Sequence, residues 1–123
     1  MLGRIQNDLF DLGADLCVPG QGGDRLRLAD AQILRLEQEV TGMNAVLPPL
    51  TSFVLPGGSP GAAFAHQARV VVRRAERRLV AMTDVNPALQ RYLNRLSDHL
   101  FVVARMLNGR GASDVPWTPG ANR

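Results

Sequence analysis

Between residues 89 and 107 the apolar side chains Leu89, Leu93, Leu96, Leu100, Val103 and Leu107 step by alternating intervals of four and three. That rhythm keeps one face of a 3.6-residue helix apolar, and no strand of period two can put those residues on one side. It also runs through Leu2, Ile5, Leu9, Leu12 and Leu16, and through Ile33, Leu36, Val40, Met43 and Leu47. A further helix is predicted from about Pro60 to about Met82, and Pro60 and Pro87 suit the first turn of a helix. Asp30 is the expected N-cap of the second helix. The breaks fall at VPGQGG, PPLTSFVLPGGSPG, TDVNP and NGRG, where Pro and Gly cluster. No segment alternates well enough to read as a sheet, and SFVL is the only short strand-like run. The prediction is an all-α chain, four helices in an up-and-down bundle, with the apolar fourth helix at the centre. Residues 1–108 form the helical domain and residues 109–123 read as a loose tail.

Charge adds a local feature. All 14 basic residues are arginine, and the net charge is +3. Arg69, Arg73, Arg74, Arg77 and Arg78, with Glu76 as the one acid among them, give residues 69–78 a charge of +4 and leave the rest at −1. A basic character so concentrated points to a site rather than to general nucleic-acid affinity. Stacking aromatics do not interleave with the arginines, which argues against a single-strand nucleic-acid binder. Without lysine, any anion site must use planar guanidinium forks, and Schiff-base or P-loop lysine chemistry is excluded. No run approaches the ~20 apolar residues of a membrane span. MLGRIQNDLFDLG carries acids within its apolar pattern and does not read as a signal peptide. The single cysteine, Cys17, suits a reducing cytoplasm, and its place at a helix end predicts a packed thiol.

A charge run on a helix is ordinarily a solvated face. In RVVVRRAERRLV the charges are nearly all of one sign, and like charges at i,i+4 oppose the helix. Glu76 lies where it can orient Arg73 through an (i, i+3) pair. The helix also starts directly after LPGGSPG, where flexible backbone and a helix N-terminus offer N–H groups to an anion. Ala68, Val71, Val72, Ala75 and Leu79 share the side predicted to face the core. An arginine cluster with one orienting carboxylate suits a polyphosphate. The P-loop and G-x-G-x-x-G patterns are absent. His66 and His99 have no metal-ligand spacing with Cys17 or with carboxylates, so no metal site is expected. Arg95 and Asp98 are placed for an (i, i+3) pair, with a bridge from Asp98 to the arginine helix as the alternative.

SFVLPGGSPGAAFAHQARVVVRRAERRLV followed by YLNRLSDHLFVVARMLN resembles the PduO-type ATP:cob(I)alamin adenosyltransferases, in order from about Ile5 to Leu107. The resemblance implies a ferritin-like helical bundle that assembles into a homotrimer with active sites between subunits. It implies cytoplasmic transfer of the 5′-deoxyadenosyl group of ATP, with Mg2+, to Co(I) of cobalamin, releasing triphosphate. Neither nucleic acid nor membrane is an expected partner. Position by position, it puts Arg69, Arg73, Arg74, Ala75, Glu76, Arg77 and Asn94 at the nucleotide. It puts Phe53 against the lower face of the corrin, where the aromatic favours four-coordinate cobalt. His66 is a further candidate for the cobalamin pocket. Arg73 and Phe53 are the residues through which catalysis is expected to act.

In this family a Thr-Lys-Thr-Gly-Asp-like glycine-rich segment, which wraps the ATP phosphates, precedes the first stripe. It is not among these 123 residues. The expectation is therefore four helices of a family five, one open groove, and no adenosylation by these residues alone. The alternative is a truncated, catalytically silent module that binds corrinoid or partner subunits.

Overall fold

The computed structural model describes residues 1–20 and 23–123. Its helices are α1 (Leu2–Leu16), α2 (Asp30–Asn44), α3 (Pro60–Val80) and α4 (Pro87–Leu107). The predicted break at VPGQGG includes residues 21–22, which lie outside the described residues. The helix directions follow from side-chain pairs. Ser59 N–H, at the start of α3, donates to Asn108 Oδ1 at the end of α4 at 2.8 Å, so these two are antiparallel. Asp30 pairs with Arg91, Glu37 with Arg95 and Glu39 with His99, so α2 runs parallel to α4. Asp8 meets Tyr92 and Asp15 meets Asn86, so α1 is antiparallel to α4. The result is the expected up-and-down bundle.

Helix α4 is central, as its stripe predicted. Leu89, Tyr92, Leu93, Leu96 and Leu100 bury against Ile5 and Leu12 of α1, Ile33 and Leu36 of α2, and Leu79 of α3. Each such side chain contributes about 1.5–3 kcal/mol by leaving water. Near the other end Ala62 and Ala65 of α3 lie against Val103 and Ala104, small residues that let the two helices come close. Ser59 caps α3, accepting from Ala62 N–H at 3.2 Å, and Asn86 caps α4, accepting from Ala88 N–H at 3.0 Å. Pro60 and Pro87 stand in the first turns.

Three expectations need correction. Asp30 is the first helical residue and not the cap. Ala29 holds the cap position, and its N–H donates to Gln32 Oε1 at 2.9 Å, leaving Asp30 free for Arg91. Cys17 is not packed but exposed, at the C-cap of α1. The inner face of α3 is Ala62, Ala65, His66, Glu76 and Leu79 with Val72, whereas Ala68, Val71 and Ala75 face solvent. Apolarity placed Val72 and Leu79 correctly but not the rest of the arc, which turns to include Glu76, whose carboxylate bonds Arg73 and Asn94.

The stretch read as a loose tail is tied down over residues 113–117. Ser113 N–H donates to Asn108 C=O at 2.8 Å, Leu55 N–H to Val115 C=O at 2.7 Å, and Trp117 N–H to Phe53 C=O at 2.8 Å. Val54 and Pro116 form an isolated antiparallel bridge, so the strand-like run SFVL pairs with the tail. The buried Arg105 donates from Nε to Asp114 Oδ2 at 2.7 Å and from Nη2 to Pro48 C=O at 2.9 Å. Gly58, at φ +107°, passes so close to the Asn108 side chain that a Cβ would collide with it.

Candidate functional site

Glu76 is the hinge of the arginine face. Helix α3 carries it toward α4, where it is only 8% exposed. Its Oε2 accepts from Arg73 Nη1 at 2.8 Å and its Oε1 from Asn94 Nδ2 at 2.9 Å. The (i, i+3) spacing predicted for Arg73 and Glu76 is therefore realised, and Asn94 joins them from α4 across 18 residues of chain. Arg73 is about half exposed, so the pair fixes direction more than it adds stability. The guanidinium keeps donors on its outer side, facing solvent.

Arg74, Arg77 and Arg78 form no ion pair among the described residues. They are exposed, and so is Ala75 between them. The C-terminal half of α3 thus presents three unneutralised guanidiniums beside the pinned Arg73. The negative end of the helix dipole favours Arg77 and Arg78, which lie in the last turn.

One turn up the helix Arg69 lies over the ring of Phe101, its guanidinium carbon 5.9 Å from the centroid. Its Nε is buried without a hydrogen-bond partner among the described residues. His66 is 1% exposed, edge-on to the same Phe101 at 6.2 Å, and neither ring nitrogen has a partner among the described residues. Burial first, and then the charge of Arg69, hold its pKa below the usual 6.5, while Asp114 pulls the other way. His66 is therefore a neutral imidazole with two unused polar atoms, a costly arrangement that water or a ligand can satisfy.

Phe53 lies apart from this group, in the loop that leads to the start of α3. It is 77% exposed, and its ring meets Trp117 with centroids 5.9 Å apart and planes tilted by 55°. The two rings border an open cleft of about 550 Å³ shared with Leu50, Thr51, Ser52 and Pro119. Pro60 and Arg73 are 13 helical residues apart, about 20 Å along the axis. The structure thus joins Arg73, Glu76 and Asn94 directly, places Arg69 with His66, and keeps Phe53 at the far end. Sequence reasoning missed Phe101 and Trp117. Phe101 sits among apolar neighbours in a helical pattern, and only its (i, i+4) relation to Arg105 and the α3 register would have marked it. No group of three or more potential metal-ligating residues occurs among the described residues. No helix among them is long and apolar enough to cross a membrane.

Comparison with known proteins gives this geometry a setting. The cobalamin adenosyltransferase family model matches residues 1–107. The corrinoid adenosyltransferase of Mycobacterium tuberculosis is 50% identical over 131 aligned residues, covering 100% of this chain and 67% of that protein. The cobalamin adenosyltransferase of Cupriavidus metallidurans is 51% identical over 118, covering 93% and 62%. A phenylalanine-to-alanine variant of the PduO-type ATP:corrinoid adenosyltransferase from Lactobacillus reuteri, complexed with cobalamin and ATP, superposes with a TM-score of 0.82. It is 32% identical, and the match covers 94% of this chain and 67% of that one. An arginine-to-lysine variant of the Lactobacillus reuteri enzyme, complexed with ATP, gives 0.83. The chain spans about two thirds of the length of these relatives. On the family match and on this identity, the chain belongs to the cobalamin adenosyltransferase family.

Proposed function

We propose that the protein transfers the 5′-deoxyadenosyl group of ATP, bound with Mg2+, to Co(I) of cobalamin. The lone pair of Co(I) forms the Co–C5′ bond, the C5′–O bond breaks, and its electrons leave on triphosphate. The reading is carried by one observation: Glu76 holds Arg73 and Asn94 together beside Arg74 and Arg77, which form no ion pair among the described residues. Fixed guanidiniums stabilise charge that grows on the leaving triphosphate, with no reorganisation needed at the moment of transfer. Asn94 and the backbone at Ala75 fit the nucleotide beside them. Arg69, one turn away, extends the basic wall. No protein nucleophile or base is needed, because the reaction is a displacement between two bound substrates.

Phe53 presents an exposed ring on a loop fixed to the fold at both ends, a suitable floor for the lower face of the corrin. An apolar ring there excludes a lower axial ligand and favours the four-coordinate cobalt that is easier to reduce. His66, whose two ring nitrogens have no partner among the described residues, fits a polar contact to cobalamin. The exposed apolar side chains Leu9 and Phe10 on α1, and Phe64 and Val71 on α3, support subunit packing, and a homotrimer with sites between subunits is proposed. The free thiol of Cys17 supports a cytoplasmic location. Replacing Arg73 with Ala in the full-length protein should lower the rate of adenosylcobalamin formation by about 10²–10³. A retained rate, followed by cobalamin absorbance, would remove Arg73 from the site.

A further inference from the structure

The tail runs beside the Phe53 loop without being part of the helical bundle. It is anchored at its base, where Arg105 holds Asp114 and Asn108 C=O accepts from Ser113 N–H. From there residues 115–117 run antiparallel to residues 53–55. Leu55 N–H donates to Val115 C=O at 2.7 Å, and Trp117 N–H to Phe53 C=O at 2.8 Å. Ser52 Oγ donates to Trp117 C=O at 2.8 Å. The backbone of Phe53 is thereby fixed to that of Trp117, and the indole lies against the phenyl ring in a tilted contact. Trp117 is the chain's one tryptophan, 44% exposed, in a segment otherwise of small and polar residues.

An exposed phenylalanine on a loop bounded by Pro48, Pro49 and the Pro56–Gly57–Gly58 turn would sample several rotamers if left alone. A second ring on one side removes part of that freedom before any ligand arrives, and a tilted aromatic pair is attractive beyond the area it buries. We propose that Trp117 is a positioning residue: it holds the Phe53 ring in the orientation that meets the corrin. The cleft beside the two rings then has a floor of fixed shape. This rests on the reading that Phe53 faces the corrin, and Trp117 acts through Phe53.

The test uses cob(II)alamin bound to the full-length protein with ATP, reading the four-coordinate Co(II) signal by electron paramagnetic resonance. Trp117→Ala should reduce the four-coordinate fraction several-fold and raise KM for cobalamin, leaving KM for ATP and the helical circular dichroism as they were. Trp117→Phe should restore most of the signal. A full signal in Trp117→Ala, alongside its loss in Phe53→Ala, overturns the role of Trp117 and leaves the reading of Phe53 standing. A full signal in Phe53→Ala instead removes Phe53 from the corrin and this proposal with it. If Trp117→Ala loses helical structure, Trp117→Leu makes the same comparison. Loss of the signal in that variant supports the ring contact, and its retention overturns it.

Discussion

Asp15 and His66 are both buried, and their surroundings treat them oppositely. Burial works against the charge of Asp15, but hydrogen bonds from Asn86 Nδ2, from Leu28 N–H and from Arg27 outweigh it and hold the carboxyl below its usual 3.8. His66 has no hydrogen-bond partner among the described residues, and burial, followed by the charge of Arg69, lowers its pKa against the opposing pull of Asp114. Since the unfolded imidazole titrates near 6.5, the unfolded state takes up a proton below that pH before the folded state does. His66 therefore lowers stability as pH falls below about 6.5, and its effect levels off once the folded imidazole protonates. Urea midpoints at pH 7.5 and 5.5 should draw closer together in His66→Gln than in the parent. An equal pH dependence in both proteins would show that His66 does not titrate on unfolding. Nothing in the local sequence marks His66 as buried: its neighbours Ala65 and Gln67 fit either face, and only the approach of Phe101 from α4 decides it.

Among the elements, α3 shows most clearly what periodicity can and cannot reveal. Its ends and its first-turn proline were legible, because breaks are local chemistry, whereas Ser59 as its cap emerges only from the structure. The arginine face and the Arg73–Glu76 pair were legible from spacing. The inward arc was legible only at Val72 and Leu79, because Glu76 joins it through Asn94, 18 residues on, and hydrophobicity gives no hint of such a partner. Arg74, Arg77 and Arg78 repel one another in the free protein, so an anion that binds them should also stabilise the fold. Triphosphate should raise the melting midpoint, 0.5 M NaCl should erase most of the rise, and Arg77→Ala should reduce it. No shift with millimolar triphosphate would mean that this face is merely solvated. The strand-like character of residues 52–55 was legible, but their pairing with 115–117 was not, since about sixty residues and two helices separate the partners and the tail reads as a loop.

For the whole molecule, the stripes of α1, α2 and α4 specified the bundle, and they did so because one central helix meets every other. What they could not specify is which outer surfaces remain apolar. Phe10 is 82% exposed and Phe64 72%, too much for a chain whose core is otherwise well filled. If these surfaces join subunits as proposed, light scattering should give three times the 13.4 kDa chain mass, and Phe64→Glu should shift it toward one. A monomeric parent protein would refute the trimer.

The antiparallel pairing of α3 with α4 has a consequence of measure. One end of α3 stands by the aromatic loop and the other carries the arginines, about 20 Å away along a rigid axis. Under the proposed reading that interval must contain a corrin, a forming Co–C bond and a departing triphosphate. Helix α3 acts as a ruler whose graduations are single residues. Each residue added or removed between Pro60 and Arg69 would move the charges by about 1.5 Å and swing them by about 100° around the helix. The length of this helix is thus as much a part of the chemistry as any side chain on it.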